Sequence, residues 1–275
     1  MNPLVKVLIS ILFMLTLSCN NAKKNSNSYS KDLPELTSVI SDKKMIKISG
    51  GTFQTFFGKD SGRVVEVGTF YMDETPVTNR EFLQFLEKNP KWRKSNILSL
   101  YADKNYLKNW PSDLQIPIAE SMDSPVTNVS WFAASAYAKS VGKRLPTVNE
   151  WEFVGLASTK QSNGSKDPGF SEAILKAYQE RRELKNPTVG QSAPNYYGVQ
   201  NMYDLVWEWT EDFSSIMLSG ESRGDNTPSE SLFCAGASLS STDLTNYAAF
   251  VRYAMRASVD AKDCLNSIGF RLVKN

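Results

Sequence analysis

Sulfur and imidazole set the first limits on what this chain can do. Its 275 residues include three cysteines, Cys19, Cys234 and Cys264, and no histidine. Without imidazole there is no histidine base, no His-held zinc or iron, and no middle member for a nucleophile triad. A thiolate is then the strongest nucleophile and soft-metal ligand available. Yet the cysteines lack the short spacing or adjacent base of a thiol-exchange motif. In an oxidising compartment Cys234 and Cys264 read first as a disulfide, with two buried free thiols as the alternative. Arg252, Arg256 and Arg271 can bind an anion or pair with carboxylates such as Glu150, Glu152 and Glu208. Pairing is the expectation, because partly buried arginines usually serve that way. Trp131, Trp151, Trp207 and Trp209 can form a stacking platform or pack the core, and the core is the expectation.

The compartment follows from the first residues. Lys6 precedes an apolar run, Val7 to Leu17, and then Ser18-Cys19. The run is shorter than the ~20 residues a transmembrane helix needs and suits the apolar part of a signal peptide. A small residue directly before a cysteine resembles the bacterial lipoprotein box, in which that cysteine is lipidated and becomes the mature N-terminus. Thr16 departs from the usual Leu, although Leu15 and Leu17 flank it. The expected organisation is a signal peptide over 1–19, a flexible tether over 20–44 and one domain over 45–275. Net charge is +2, from 31 basic and 29 acidic residues, so no global field points to nucleic acid.

The elements that must position the arginines, carboxylates and tryptophans are short. Met45–Ile48, Val64–Val67 and Thr69–Met72 read as strands, with Gly50-Gly51-Thr52-Phe53 following the first. Thr78-Asn79-Arg80-Glu81 and Thr147-Val148-Asn149-Glu150 are capping boxes that open helices. Ser130 caps a helix from Trp131 to about Ser140, stopped by Gly142. Residues 158–190 read as a surface loop followed by an amphipathic helix, Glu172 to Leu184, with Arg181-Arg182 on solvated surface. From Asn195 onward short strands are expected, including Leu232-Phe233 and the apolar run Ala248 to Tyr253. No internal repeat is apparent. Segregated helices and short strands favour α+β over a βαβ fold.

Seven ordered blocks carry a resemblance. Gly50-Gly51-Thr52-Phe53, Glu74-Thr75-Pro76-Val77-Thr78-Asn79 and Pro125-Val126-Thr127-Asn128-Val129-Ser130-Trp131 come first. Arg144-Leu145-Pro146-Thr147-Val148-Asn149-Glu150-Trp151-Glu152 is the most specific. Pro194-Asn195-Tyr196-Tyr197-Gly198, Trp207-Glu208-Trp209-Thr210 and Gly269-Phe270-Arg271 complete the series. Together they resemble the formylglycine-generating (sulfatase-modifying factor) family over about residues 45–273. The resemblance implies a compact, C-type-lectin-like α+β fold with short strands, few helices and long packed loops.

It also implies a chemistry that this chain departs from. In the family a copper-binding cysteine pair oxidises a cysteine of a target sulfatase, and it lies between a Gly-Gly-Ser motif and an Arg-rich strand. Here the window runs from Gly236-Ala237-Ser238 to Arg256 and contains no cysteine. The first catalytic position maps approximately onto Ser241, whose hydroxyl is neither a Cu(I) ligand nor a thiolate, so copper is not expected. The family's iron-dependent branch binds metal through histidine, which this chain lacks.

A family calcium site would carry over with side-chain oxygens of Asn201 and Glu208 and backbone carbonyls of Asp204 and Val206, hard ligands of the kind Ca²⁺ takes. Asp204-Leu205 replaces the family's Gly-Asn. The alternative makes Glu208 a buried, hydrogen-bonded carboxylate and Asn201 a turn residue. Relatives of this kind include gliding-motility lipoproteins and proteins encoded with copper nitrite reductases. The resemblance therefore implies a membrane-tethered, non-catalytic accessory protein of the bacterial cell envelope, periplasm-facing or on the outer membrane. Its partner would be another exported protein, met during assembly or maturation. A protein-cysteine oxidase with an altered site and a carbohydrate-binding module are the alternatives.

Overall fold

A computed structural model describes residues 36–55, 64–117, 120–213 and 244–275. Cys19, Cys234, Ser241 and the expected strand at Leu232-Phe233 lie outside the described residues. Leu36–Asn275 forms one compact unit. Part of the expected tether thus belongs to the domain. Thr37 exchanges hydrogen bonds with the side chain of Asn89, at 2.7 and 3.0 Å, and Val39 N donates to Ser140 O at 2.8 Å. These polar residues show no apolar period, but their backbone groups find partners on two helices.

Among the described residues there are seven short strands: β1 Met45–Ile48, β2 Gly51–Gln54, β3 Val64–Val67, β4 Phe70–Asp73, β5 Trp207–Glu208, β6 Ile268–Gly269 and β7 Val273–Lys274. The central sheet has the antiparallel order β1-β4-β7, with Ile48 opposite Phe70 and Met72 opposite Val273. Alternation explains which side is inward: Ile48, Phe70 and Met72 are buried while Tyr71 between them is exposed. β2 and β3 form a separate pair, Gly51 opposite Val67 and Gln54 opposite Val64. Gly50 starts this excursion at φ 72°, where a Cβ would stand 2.4 Å from Val67 O, so only glycine fits.

Among the described residues there are five α-helices: α1 Asn79–Lys88, α2 Trp131–Ser140, α3 Val148–Gly155, α4 Phe170–Glu180 and α5 Leu244–Ala257. Both expected capping boxes are present, at Thr78 with Glu81 and at Thr147 with Glu150. Ser130 caps α2 by accepting from Ala133 N. The amphipathic helix starts and ends earlier than its Glu172–Leu184 expectation, behind Gly169 at φ 77°.

One expectation fails. Ala248 to Tyr253 is not a strand but the middle of α5. The apolar run is interrupted by Arg252, and Ala248, Arg252 and Arg256 recur every four residues, which is the spacing of one helical face.

Phe82 and Phe85 of α1, Tyr137 of α2 and Phe270 pack tilted or edge-to-face with centroids 5.4–6.3 Å apart and almost no exposure. Full burial of each such ring is worth roughly 1.5–3 kcal/mol, so this aromatic cluster anchors both helices to the strand region. Among the described residues no helix is long and apolar enough to cross a membrane.

Candidate functional site

The carboxylates and arginines of the sequence blocks meet in buried pairs. β5 and β6 are only two residues each, yet they run parallel with Trp207 opposite Ile268 and Glu208 opposite Gly269. That pairing brings Glu208 beside Arg271. The side chains of both are fully buried. Arg271 Nε donates to both Glu208 oxygens, at 3.0 and 2.8 Å, and its Nη2 donates to Oε1 at 2.8 Å. Trp151 Nε1 adds a bond to Oε2 at 2.7 Å. The remaining guanidinium donors reach the carbonyls of Asp73, Glu74, Gln200 and Asn201, at 2.9–3.4 Å.

This geometry bears on the two side chains expected to hold calcium, Glu208 and Asn201. A carboxylate offers about four lone-pair sites, and on Glu208 three N–H groups of Arg271 and Trp151 make four contacts with them. The Asn201 Oδ1 accepts from Gly190 N at 2.8 Å, and its Nδ2 donates to both Asp204 oxygens, at 3.2 and 3.1 Å. So arranged, the side chains of Asn201 and Glu208 do not fit a calcium ion beside the carbonyls of Asp204 and Val206, because their oxygens accept from protein donors and a guanidinium already supplies the positive charge at Glu208. Asn201 has the backbone of the alternative reading, a turn residue, at φ 56°.

A second cluster joins α3 to α5. Glu152 accepts from Arg252 Nε and Nη2, at 2.7–3.1 Å, and from Arg256 Nη1 at 2.6 Å. Arg252 Nη1 also donates to Tyr178 OH at 3.3 Å, which ties in α4. The Trp151 ring lies under both cations, 5.9 Å from Arg252 and 4.8 Å from Arg256. Burial pushes the Glu152 carboxyl up, but the two guanidiniums overcome it and hold the group below the usual carboxylate range. Glu150 takes a different arginine, Arg144, with bonds of 2.7 Å to both oxygens. The arginines therefore pair with motif carboxylates, as expected, with Glu152 taking two of them.

The tryptophans divide. Trp151 and Trp209 are buried, whereas Trp131 and Trp207 are only half-buried. Trp207 carries the Arg181 guanidinium 3.8 Å from its ring centre, with Tyr178 on the same cation at 4.9 Å. Burial pulls the Arg181 pKa down to about 10. Arg181 had no place in the site when read as solvated surface. Its position three residues after Tyr178 at the end of an amphipathic helix was the available signal.

Cys264 is buried, its Sγ 3.3 Å from Lys262 O, and burial, with the charge of Asp103 adding, raises its thiol pKa far above neutrality. Burial of this kind disfavours the thiolate, the form that acts as a nucleophile. Its expected disulfide partner, Cys234, lies outside the described residues.

Residues 30–275 match the family described as the sulfatase-modifying factor enzyme 1-like domain. The chain belongs to this family. Its relatives have different activities in their names. The serine/threonine-protein kinase Pkn1 of Chlamydia pneumoniae is 29% identical over 195 residues, covering 66% of this chain but 29% of that protein. This sulfatase-modifying factor chain thus spans less than a third of that kinase's length. The formylglycine-generating enzyme of Streptomyces coelicolor is 27% identical over 256 residues, covering 78% of this chain and 81% of the enzyme. The inactive Cα-formylglycine-generating enzyme 2 of Bos taurus is 29% identical over 209 residues, with 60% and 69% covered. Among solved structures, PvdO from Pseudomonas aeruginosa is 17% identical with a TM-score of 0.47, covering 88% of this chain and all of PvdO.

Proposed function

We propose that this sulfatase-modifying factor protein is a non-catalytic accessory lipoprotein, exported, held at the membrane through lipid on Cys19, and binding another exported protein during its assembly or maturation. The observation that carries the reading is in the sequence: no cysteine occurs between Cys234 and Cys264, and a serine stands near the first catalytic position, at Ser241. A hydroxyl cannot replace a thiolate as a soft-metal ligand. The absence of histidine removes the other metal chemistry of the family. A relative named as inactive, at 29% identity, supports the view that this scaffold is used without oxidase chemistry.

The test is co-expression with a sulfatase that carries an unmodified target cysteine, followed by mass measurement of the target peptide. The cysteine stays unmodified if the reading is right. Conversion to formylglycine overturns it. Cys19→Ser is expected to move the protein from the detergent-soluble membrane fraction to the soluble fraction, and retention in the membrane fraction removes the anchor from the proposal.

A further inference from the structure

A cavity of about 470 Å³ lies between α4, residues 157–160 and the 192–204 loop. Sites for small molecules usually fall at ~300–1,000 Å³. One wall is carbon. Phe170, Ala173, Ile174 and Ala177 recur at helical spacing on a single face of α4, and buried Val199 and Met202 also line the cavity. The two alanines leave room that larger side chains would fill.

The polar corner is built and held. Asn201 fixes both oxygens of Asp204 through its amide, and the same amide donates to Ser192 Oγ at 3.0 Å. Asn201 N donates to Ser192 Oγ as well, at 3.1 Å. A hydroxyl has two lone pairs and one hydrogen, so Ser192 has only its O–H left to offer. Arg181 feels the charge of Asp204, but it stacks on Trp207 and donates to Tyr203 O. Among the described residues, no ion pair joins Asp204 to a cation. The charged lining residues are Asp167, Asp204 and Lys160, one net negative charge.

A carboxylate acceptor, a hydroxyl donor and a carbon wall match three features of one chemical group. We propose that this cavity binds an amino-terminal residue with an apolar side chain, its ammonium on Asp204, its carbonyl oxygen on the Ser192 hydroxyl and its side chain against α4. The source is either a free amino-acid amide or the first residue of a peptide. This assignment does not rest on the loss of oxidase chemistry, so it stands or falls apart from the sulfatase test.

Calorimetric titration of the full chain tests it with leucinamide, Leu-Ala-Ala amide and N-acetyl-leucinamide. The two free amines are expected to bind saturably and the acetylated one not to bind. Tighter binding of the tripeptide assigns a peptide end; equal affinity assigns the free amide. Asp204→Asn should weaken binding about tenfold or more, the size of one lost hydrogen bond to a charged group. Ala173→Phe, at an exposed position on α4, should abolish binding while leaving the thermal midpoint in place. Equal binding of the acetylated amide, unchanged affinity in Ala173→Phe, or no saturation at millimolar concentration overturns the proposal.

Discussion

Replacing Glu208 by glutamine keeps the shape of the side chain and removes its charge. Arg271 would then remain in the interior, fully buried, facing an amide whose NH₂ cannot accept a bond. Breaking a buried ion pair from one side costs roughly 3–5 kcal/mol, because the surviving charge is left uncompensated. Against a total stability of about 5–15 kcal/mol this is a large share. In a domain of this size each kcal/mol moves the midpoint by about 2–4 °C, so the melting temperature should fall by about 6–20 °C. Circular dichroism melts and urea titrations at neutral pH measure it. Because the guanidinium already fills the charge requirement at Glu208, EDTA and added Ca²⁺ should leave the wild-type midpoint unchanged. A Glu208→Gln variant within about 0.5 kcal/mol of wild type, the range of ordinary surface changes, would refute the reasoning. So would a saturable rise of the midpoint with calcium.

The Glu152 pair predicts a pH effect. Its folded pKa lies below the unfolded carboxylate value, so its contribution is fully present above the unfolded pKa, about 4.3. That contribution is lost as pH falls through the lower folded value. Urea midpoints measured from neutral to strongly acid pH should therefore fall more steeply for wild type than for Glu152→Gln; parallel curves would remove Glu152 from the account. Asp73 works in the opposite sense, since burial raises its carboxyl despite the Lys143 ion pair at 2.7 Å, and both proteins share that background. Thr78→Ala and Thr147→Ala should each cost about 1 kcal/mol by urea titration, the usual worth of a helix cap. A cost near zero in either would show that the Glu81 or Glu150 half of the box suffices.

What could be read from the sequence was what is encoded locally. Thr78 with Glu81, Thr147 with Glu150 and Ser130 before an alanine-rich run each fix a helix start within four residues, and all three helices stand where expected. Alternation in Met45–Ile48 and Val64–Val67 likewise gave two strands at their observed bounds. The pairing of arginines with motif carboxylates followed from the cost of burying charge alone. What escaped was non-local. β5 and β6 are two residues long and find each other across 61 positions, Trp207 opposite Ile268, so no window of sequence contains both. The apolar run of α5 suggests a strand, while the spacing of Ala248, Arg252 and Arg256 at every fourth residue carries the true period. The cavity was invisible for the same reason as β5 and β6. Its walls come from α4 and from a loop some 20–30 positions later, and only the Asn201 amide joins Asp204 to Ser192.

Arg271 has a consequence for how the chain is made. It fastens Asp73, Glu74, Gln200, Asn201 and Glu208 at once, and β7 directly after it completes the sheet against Tyr71 and Met72. A ribosome delivers residue 71 long before residue 273, so the central sheet must wait, with Met72 and Phe70 uncovered on one edge, until synthesis has almost reached the end of the domain. Such late closure slows folding and leaves apolar surface open to misassociation. Under the proposed export, the same delay would keep the chain open for translocation until its last strand is made.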